Sequence, residues 1–240
     1  MASMETAAES TGAEKIHVEG GKESEDGTHS SYAHPGLTFG DVLTSMTFAL
    51  APKRIVEFGI LDGYSLSVFD RATSDADCKI EAYDIFEKFV GNGSRKPVLD
   101  ARFGHRAPKV SIAEGDFYDS PTMFTDGSID IIHVDIANTG EVFRFAVEKL
   151  LPKLSPNGVL LLEGGTPARD QVPWMIKYNK APIVPYLEEL KGTPGVQVIV
   201  LGDFPGITMV RKVAGEPPAA VVAAAAEPDE PDAKKTKTVP

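Results

Sequence analysis

The chain has a single cysteine, Cys78, so no internal disulfide framework staples it, and a reducing, cytoplasmic setting is expected. It lacks any apolar run long enough for a membrane-spanning helix. Its first residues carry Glu5, Glu9 and Glu14 where a signal peptide would carry a basic and then an apolar stretch, so none is expected. Positive charge is scarce: 24 lysines and arginines face 35 acids, for a net charge of -11. Duplex nucleic acid is held by clustered cations that neutralise phosphates, so strong duplex binding is not expected. The one basic cluster in the sequence, Lys88, Arg95, Lys96, Arg102, Arg106 and Lys109, reads as a solvated face.

Several motifs are missing as well. A dinucleotide fingerprint counted from Gly59 meets Leu61 and Tyr64 where it needs glycines. No Gly-Lys-Ser/Thr follows, which removes a Walker-type phosphate loop. No nucleophile elbow with Ser-His-Asp order and no Cys/His metal spacing is found. An Asn/Asp-Pro-Pro-aromatic motif, a mark of amino-group methylation, is also absent.

What is present begins at Arg54–Ser65, RIVEFGILDGYS: a short apolar run, two glycines, then a helix-like segment from Tyr64 to Ala72. A strand, a glycine-bearing turn and a helix are how open α/β sheets build a nucleotide pocket. A Cβ at Gly59 or Gly63 would obstruct the turn and the close approach of a ligand. Further strands are expected at 79–84, 110–113, 129–135 and 159–163, with a closing hairpin at 196–201 and 207–210. Helices are expected at 37–50, stopped by Pro52, and from about 97 to 104. Others are expected at 120–124, from Asn138 or Thr139 to Leu151, and at both ends of 170–191, whose middle Pro182 and Pro185 break. Alternating strands and helices predict one α/β domain over residues 34–213. Residues 1–33, acidic and poor in large apolar groups, and residues 214–240, rich in Ala, Pro, Glu and Lys, are expected to be disordered tails.

The motif E-x-G-x-x-x-G-Y-S, Glu57 to Ser65, resembles the first motif of S-adenosylmethionine-dependent methyltransferases of the Rossmann-like class. Glu57-Phe58-Gly59 with Gly63-Tyr64-Ser65, and the block IDIIHVD through LSPNGVLLLEGG, are similar to small-molecule O-methyltransferases of the catechol type. The resemblance implies a single doubly wound, mostly parallel seven-stranded sheet whose C-terminal hairpin inserts one antiparallel strand. It implies S-adenosylmethionine as cofactor, held by Glu57, Gly59, Gly63, Ser65, Asp84, Asp116, Phe117 and Asp135. Asp84, ending a strand, suits the ribose hydroxyls; Phe117 suits the adenine face; Glu57 lies where the family keeps an acid near the methionine amino group.

Asp135 and Glu163 match the first two ligands of the family's Mg²⁺ site, while Gly164 at the third position has no side-chain oxygen. Asn138 stands where the family has a lysine. Asp135, with Glu163 or His133, is expected to orient and deprotonate the acceptor, His133 titrating near neutral pH. Trp174, Tyr178 and Phe204 are candidates for the acceptor side. The reaction implied is in-line methyl transfer to oxygen of a small-molecule or sugar-like acceptor; an oligomer is compatible with this. Three other readings stay open: a methyltransferase-fold binding or assembly subunit without turnover, an RNA methyltransferase, and a nicotinamide-dependent oxidoreductase.

Overall fold

The computed structural model describes residues 39–89, 92–202 and 204–213. The two expected tails, residues 1–33 and 214–240, lie outside the described residues, as do His17, His29 and His34. In chain order the elements are α1 Phe39–Leu50, β1 Arg54–Phe58, α2 Tyr64–Ala72, β2 Lys79–Asp84, α3 Lys96–Phe103, β3 Val110–Glu114 and β4 Ile129–Val134. There follow α4 Gly140–Phe145, β5 Leu154–Glu163, α5 Pro173–Lys177, α6 Ile183–Lys191, β6 Val196–Leu201 and β7 Ile207–Lys212.

The seven strands form one sheet in the order β3-β2-β1-β4-β5-β7-β6. β1 to β5 are parallel, and β7 runs antiparallel to both β5 and β6. Strand order reverses between β1 and β4, the place where open α/β sheets leave a crevice beyond the strand C-termini. Strand alternation gives each face its own core. Val56, Phe58, Ile132, Val134, Leu160 and Leu162 pack under α4 and α6 with Phe143, Val147 and Leu187. Ile55, Ile80, Ile131, Leu161 and Ile207 pack on the other face with Leu43, Leu66, Phe69, Leu99 and Phe103 from α1, α2 and α3. Each such side chain contributes about 1.5–3 kcal/mol on burial, so both helix layers are firmly seated.

Alternation also decides where the polar residues go. Glu57, His133 and Glu163 share the parity of Ile55, Ile131 and Leu161, and so lie on the α1–α2–α3 face. Cys78 is buried, and that burial raises its thiol to about 11, leaving little thiolate at neutral pH.

The local departures have physical causes. Ser120-Pro121 starts no α-helix; a 3₁₀ segment runs from Phe117 to Thr122, with Asp116 accepting from the Tyr118 N–H at 2.9 Å. Thr139 caps α4 by accepting from Val142 N–H at 3.3 Å, whereas Asn138 turns inward. The helix expected to reach Leu151 continues past Phe145 as a π-helical turn, Ala146–Leu150, and a 3₁₀ turn, Leu151–Lys153, beside Pro152. Pro185 does not interrupt α6, because in the first turn of a helix a missing N–H costs nothing; the break falls at 178–182. Asp170 accepts from the first N–H groups of α6, Ile183 at 2.7 Å and Val184 at 2.9 Å. The basic cluster is tied down: Lys88 pairs with Glu114, Lys96 with Asp100, and Arg106 and Lys109 with Asp70.

Candidate active site

The glycine turn joins β1 to α2 at the crevice. Gly59 (φ 87°) and Gly63 (φ 77°) occupy left-handed backbone that other residues adopt only under strain. The close approaches they allow are to the protein itself. A Cβ on Gly59 would meet the Asp135 carbonyl, and one on Gly63 would meet the Phe103 ring at 2.8 Å. Gly59 thereby lets β1 and β4 draw together at their C-terminal ends, where the Asp135 N–H donates to the Phe58 carbonyl at 2.9 Å.

Glu57 is fully buried. Its Oε1 accepts from the Ser65 hydroxyl on α2 and from His133 Nδ1 at 2.9 Å. Register places Glu57 directly beside His133. Oε2 is buried without a hydrogen-bond partner among the described residues. A carboxylate oxygen left so is costly, which marks it as a place for a cationic or N–H group.

His133 departs from its expected role. Its ring is fully buried, edge-on to Phe69 at 5.5 Å, and bonded to Glu57. An imidazole enclosed in this way cannot reach an acceptor; it orients Glu57. Ser65 likewise bonds Glu57 and offers its hydroxyl proton to it.

Asp84 ends β2 and holds the turn together. Its Oδ2 accepts from Ile60 N–H at 2.9 Å, and Oδ1 from Phe86 N–H at 2.8 Å and Asn92 Nδ2 at 2.7 Å. Phe117 is a core ring, at 5.5 Å from Phe58 and 5.1 Å from Phe145, so the stacking expectation gives way to packing. Its neighbour Tyr118 is the exposed aromatic, and Asp116 is exposed beside it.

Asp135 sits partly buried at the lip of β4, with Glu57 and Glu163 nearby. Burial first, then those two carboxylates, push its pKa well above the usual range, against the pull of Arg169. Because the folded protein holds this proton more tightly, the associated stability is present below about pH 4 and is lost as pH rises through the raised value. Asp135→Asn is therefore expected to flatten that decline. Urea midpoints measured from pH 4 to 8 should diverge in favour of the variant as pH increases; parallel curves would contradict the reading.

Glu163 is held by a cation of the chain itself. Its carboxylate is buried and gripped by Arg169, whose Nε lies 3.0 and 3.3 Å from the two oxygens and whose Nη2 lies 3.2 Å from Oε2. Arg169 also donates to the Asn138 carbonyl at 3.2 Å and to Met175 Sδ at 3.1 Å, and its guanidinium lies 5.2 Å from the Trp174 ring. Asn138 Nδ2 bridges the carbonyls of Val134 and Glu163, at 3.0 and 2.9 Å. No group of three His, Cys, Asp or Glu side chains placed to hold a metal occurs among the described residues. The residues present do not fit the Mg²⁺ site that the resemblance implies. Trp174 is buried over Arg169, while Tyr178 and Phe204 are exposed. Arg169 carries no sequence signal, being one arginine in an irregular loop six residues beyond Glu163.

A separate groove of about 520 Å³, lined by Lys191, Gln197 and Arg211 among others, lies by the start of β5, at the opposite end of that strand from Glu163. It takes no part in this site.

Residues 56–163 match the family described as a methyltransferase domain, Methyltransf_24. Over this segment the chain is similar to a methyltransferase domain. Among solved structures, an S-adenosylhomocysteine-bound methyltransferase of Podospora anserina is similar at 20% identity and TM-score 0.54, over 73% of this chain and 78% of that one. An O-methyltransferase of Bacillus cereus in complex with S-adenosylhomocysteine is 17% identical, TM-score 0.57, over 77% and 84%. The O-methyltransferase of tomaymycin synthesis from Streptomyces achromogenes, in complex with S-adenosylmethionine, is 18% identical, TM-score 0.53, over 72% and 79%. At such identities the likeness is one of fold. No curated protein sequence matches the chain. The matched segment runs from β1 to the last residue of β5 and so contains Glu57, Asp84, Asp135 and Glu163. Among the described residues no helix is long and apolar enough to cross a membrane.

Proposed function

We propose that the protein transfers a methyl group from S-adenosylmethionine to an oxygen of a small-molecule acceptor. The observation that carries this is Glu57: a fully buried carboxylate at the C-terminal end of β1, with Oε2 lacking a partner among the described residues. It lies beside the N-terminus of α2 at the switch point of the sheet. The cofactor's ammonium group supplies the charge and N–H that this oxygen lacks. Ser65 and His133 hold the carboxylate in place, Asp84 shapes the turn and faces the ribose, and the exposed Asp116–Tyr118 pair flanks the adenine. That solved relatives of this fold were captured with S-adenosylhomocysteine or S-adenosylmethionine supports the choice of cofactor.

Bound cofactor supplies an electrophilic sulfonium methyl. The chain's own residues then align an acceptor oxygen with it and exclude water, which is most of what in-line transfer demands. Asp135, at the lip between β1 and β4, receives the acceptor proton in its ionised form. Calorimetric titration with S-adenosylhomocysteine tests the reading. Wild type is expected to bind in the micromolar range, about 8 kcal/mol, and Glu57→Gln to lose about 30-fold or more, the cost of removing one partner of a desolvated charge pair. No binding by wild type would sink the enzyme reading and favour a repurposed binding subunit.

A further inference from the structure

The acceptor side of the site contains a buried cation that belongs to the chain. We propose that the Arg169 guanidinium takes the place of a divalent metal ion at the β4–β5 lip, making methyl transfer metal-independent with Arg169 as a positioning residue. This rests on the methyltransferase reading above and deepens it.

Three observations converge. First, Glu163, the second position of the implied Mg²⁺ site, gives both carboxylate oxygens to Arg169. The pair is almost wholly buried, with side-chain exposures of 6% and 2%, so no second cation has room at that carboxylate. Secondly, Gly164, the third position, is where the arginine stem passes. A Cβ there would lie 3.3 Å from Arg169 Cγ and 3.0 Å from Ile183 Cδ1, on a backbone with φ 107°. The missing side-chain oxygen and the presence of arginine are therefore one feature: the glycine makes the space that the stem fills.

Thirdly, the guanidinium is bound on all sides by the site's own framework: Asn138 carbonyl, Met175 Sδ and the Trp174 ring. It ties α5 to the ends of β4 and β5, and its charge acts on Asp135 in the opposite sense to Glu57 and Glu163. A divalent ion would likewise neutralise the Glu163 carboxylate and act on Asp135, but would need open coordination positions that the guanidinium does not have. Acceptors that bind by chelation through two adjacent oxygens have no ion to chelate here, so the acceptor presents a single oxygen to Asp135.

Binding of Mn²⁺, followed by the electron paramagnetic resonance of the free ion, separates the alternatives in wild type, Arg169→Met and Glu163→Gln. Wild type and Glu163→Gln are expected to bind equally little, and Arg169→Met to bind at least tenfold more tightly than either, as Glu163 and Asp135 are freed. Binding by wild type that Glu163→Gln removes would overturn the proposal, as would a folded Arg169→Met that gains nothing. If Arg169→Met does not fold, the comparison of wild type with Glu163→Gln still decides. Titrating S-adenosylhomocysteine into the same samples, with EDTA and with Mg²⁺, should give one affinity for wild type. Loss of cofactor binding there refutes the methyltransferase reading and leaves the metal result legible.

Discussion

Replacing Arg169 by methionine is expected to cost about 3–5 kcal/mol of folding stability, the range for stripping one partner from a buried ion pair. The geometry leads to that figure. Glu163 is 2% exposed at its side chain, and its two oxygens take their charge-assisted hydrogen bonds from the one guanidinium. Methionine matches the stem in length and keeps the packing beside Gly164 and under Trp174, so the loss is chiefly electrostatic. The buried carboxylate is then left to take up a proton or to open the loop to water. A double variant, Arg169→Met with Glu163→Leu, removes both charges and should recover most of the loss, because a buried pair gains little over apolar residues of similar volume. Urea denaturation of the single and double variants measures this. A single variant within 1 kcal/mol of wild type would show that the pair is solvated and behaves like a surface salt bridge.

Asp84→Ala should have the second largest effect, and on two readouts at once. Its carboxylate accepts from Ile60 N–H in the glycine turn, and from Phe86 N–H and Asn92 Nδ2 beyond β2. Removing an ionised acceptor costs roughly 1.5–3 kcal/mol per hydrogen bond, less than additively, and leaves buried donors unmet. A stability loss of about 3 kcal/mol is expected. On the proposed cofactor reading, affinity for S-adenosylhomocysteine should fall at least about 100-fold, near 2.7 kcal/mol, since both the ribose contact and the shape of the turn go. A variant destabilised to this extent yet binding normally would reduce Asp84 to a structural residue of the turn. On the same reading Glu57→Gln serves as the contrast, removing a charge proposed to face the cofactor's other end while leaving the Asp84 hydrogen bonds in place.

Much of this was legible in the sequence because it is local. The alternation of apolar runs with helical periods located all seven strands, for period and apolarity are properties of neighbouring residues. Glu57, Gly59 and Gly63 stood out because an acid in an apolar strand and glycines at a strand end have few uses. Where local signals compete, the reading shifted by a turn: Asn138 and Thr139 both qualify as helix caps, and only packing sends Asn138 inward to bridge Val134 and Glu163.

The sequence by itself determined the fold class, the glycine turn and the set of acids gathered at the strand ends. Tertiary structure alone decided what those acids touch. His133 looked like a base because histidine is the usual general base; burial beside Phe69 and Glu57 makes it a support. Phe117 looked like a stacking platform; contacts with Phe58 and Phe145 make it core, and Tyr118 takes the exposed position. Glu163 looked like a metal ligand; a guanidinium six residues further on claims it. Partners of that kind are set by where a loop returns across the sheet, and no residue spacing encodes that return.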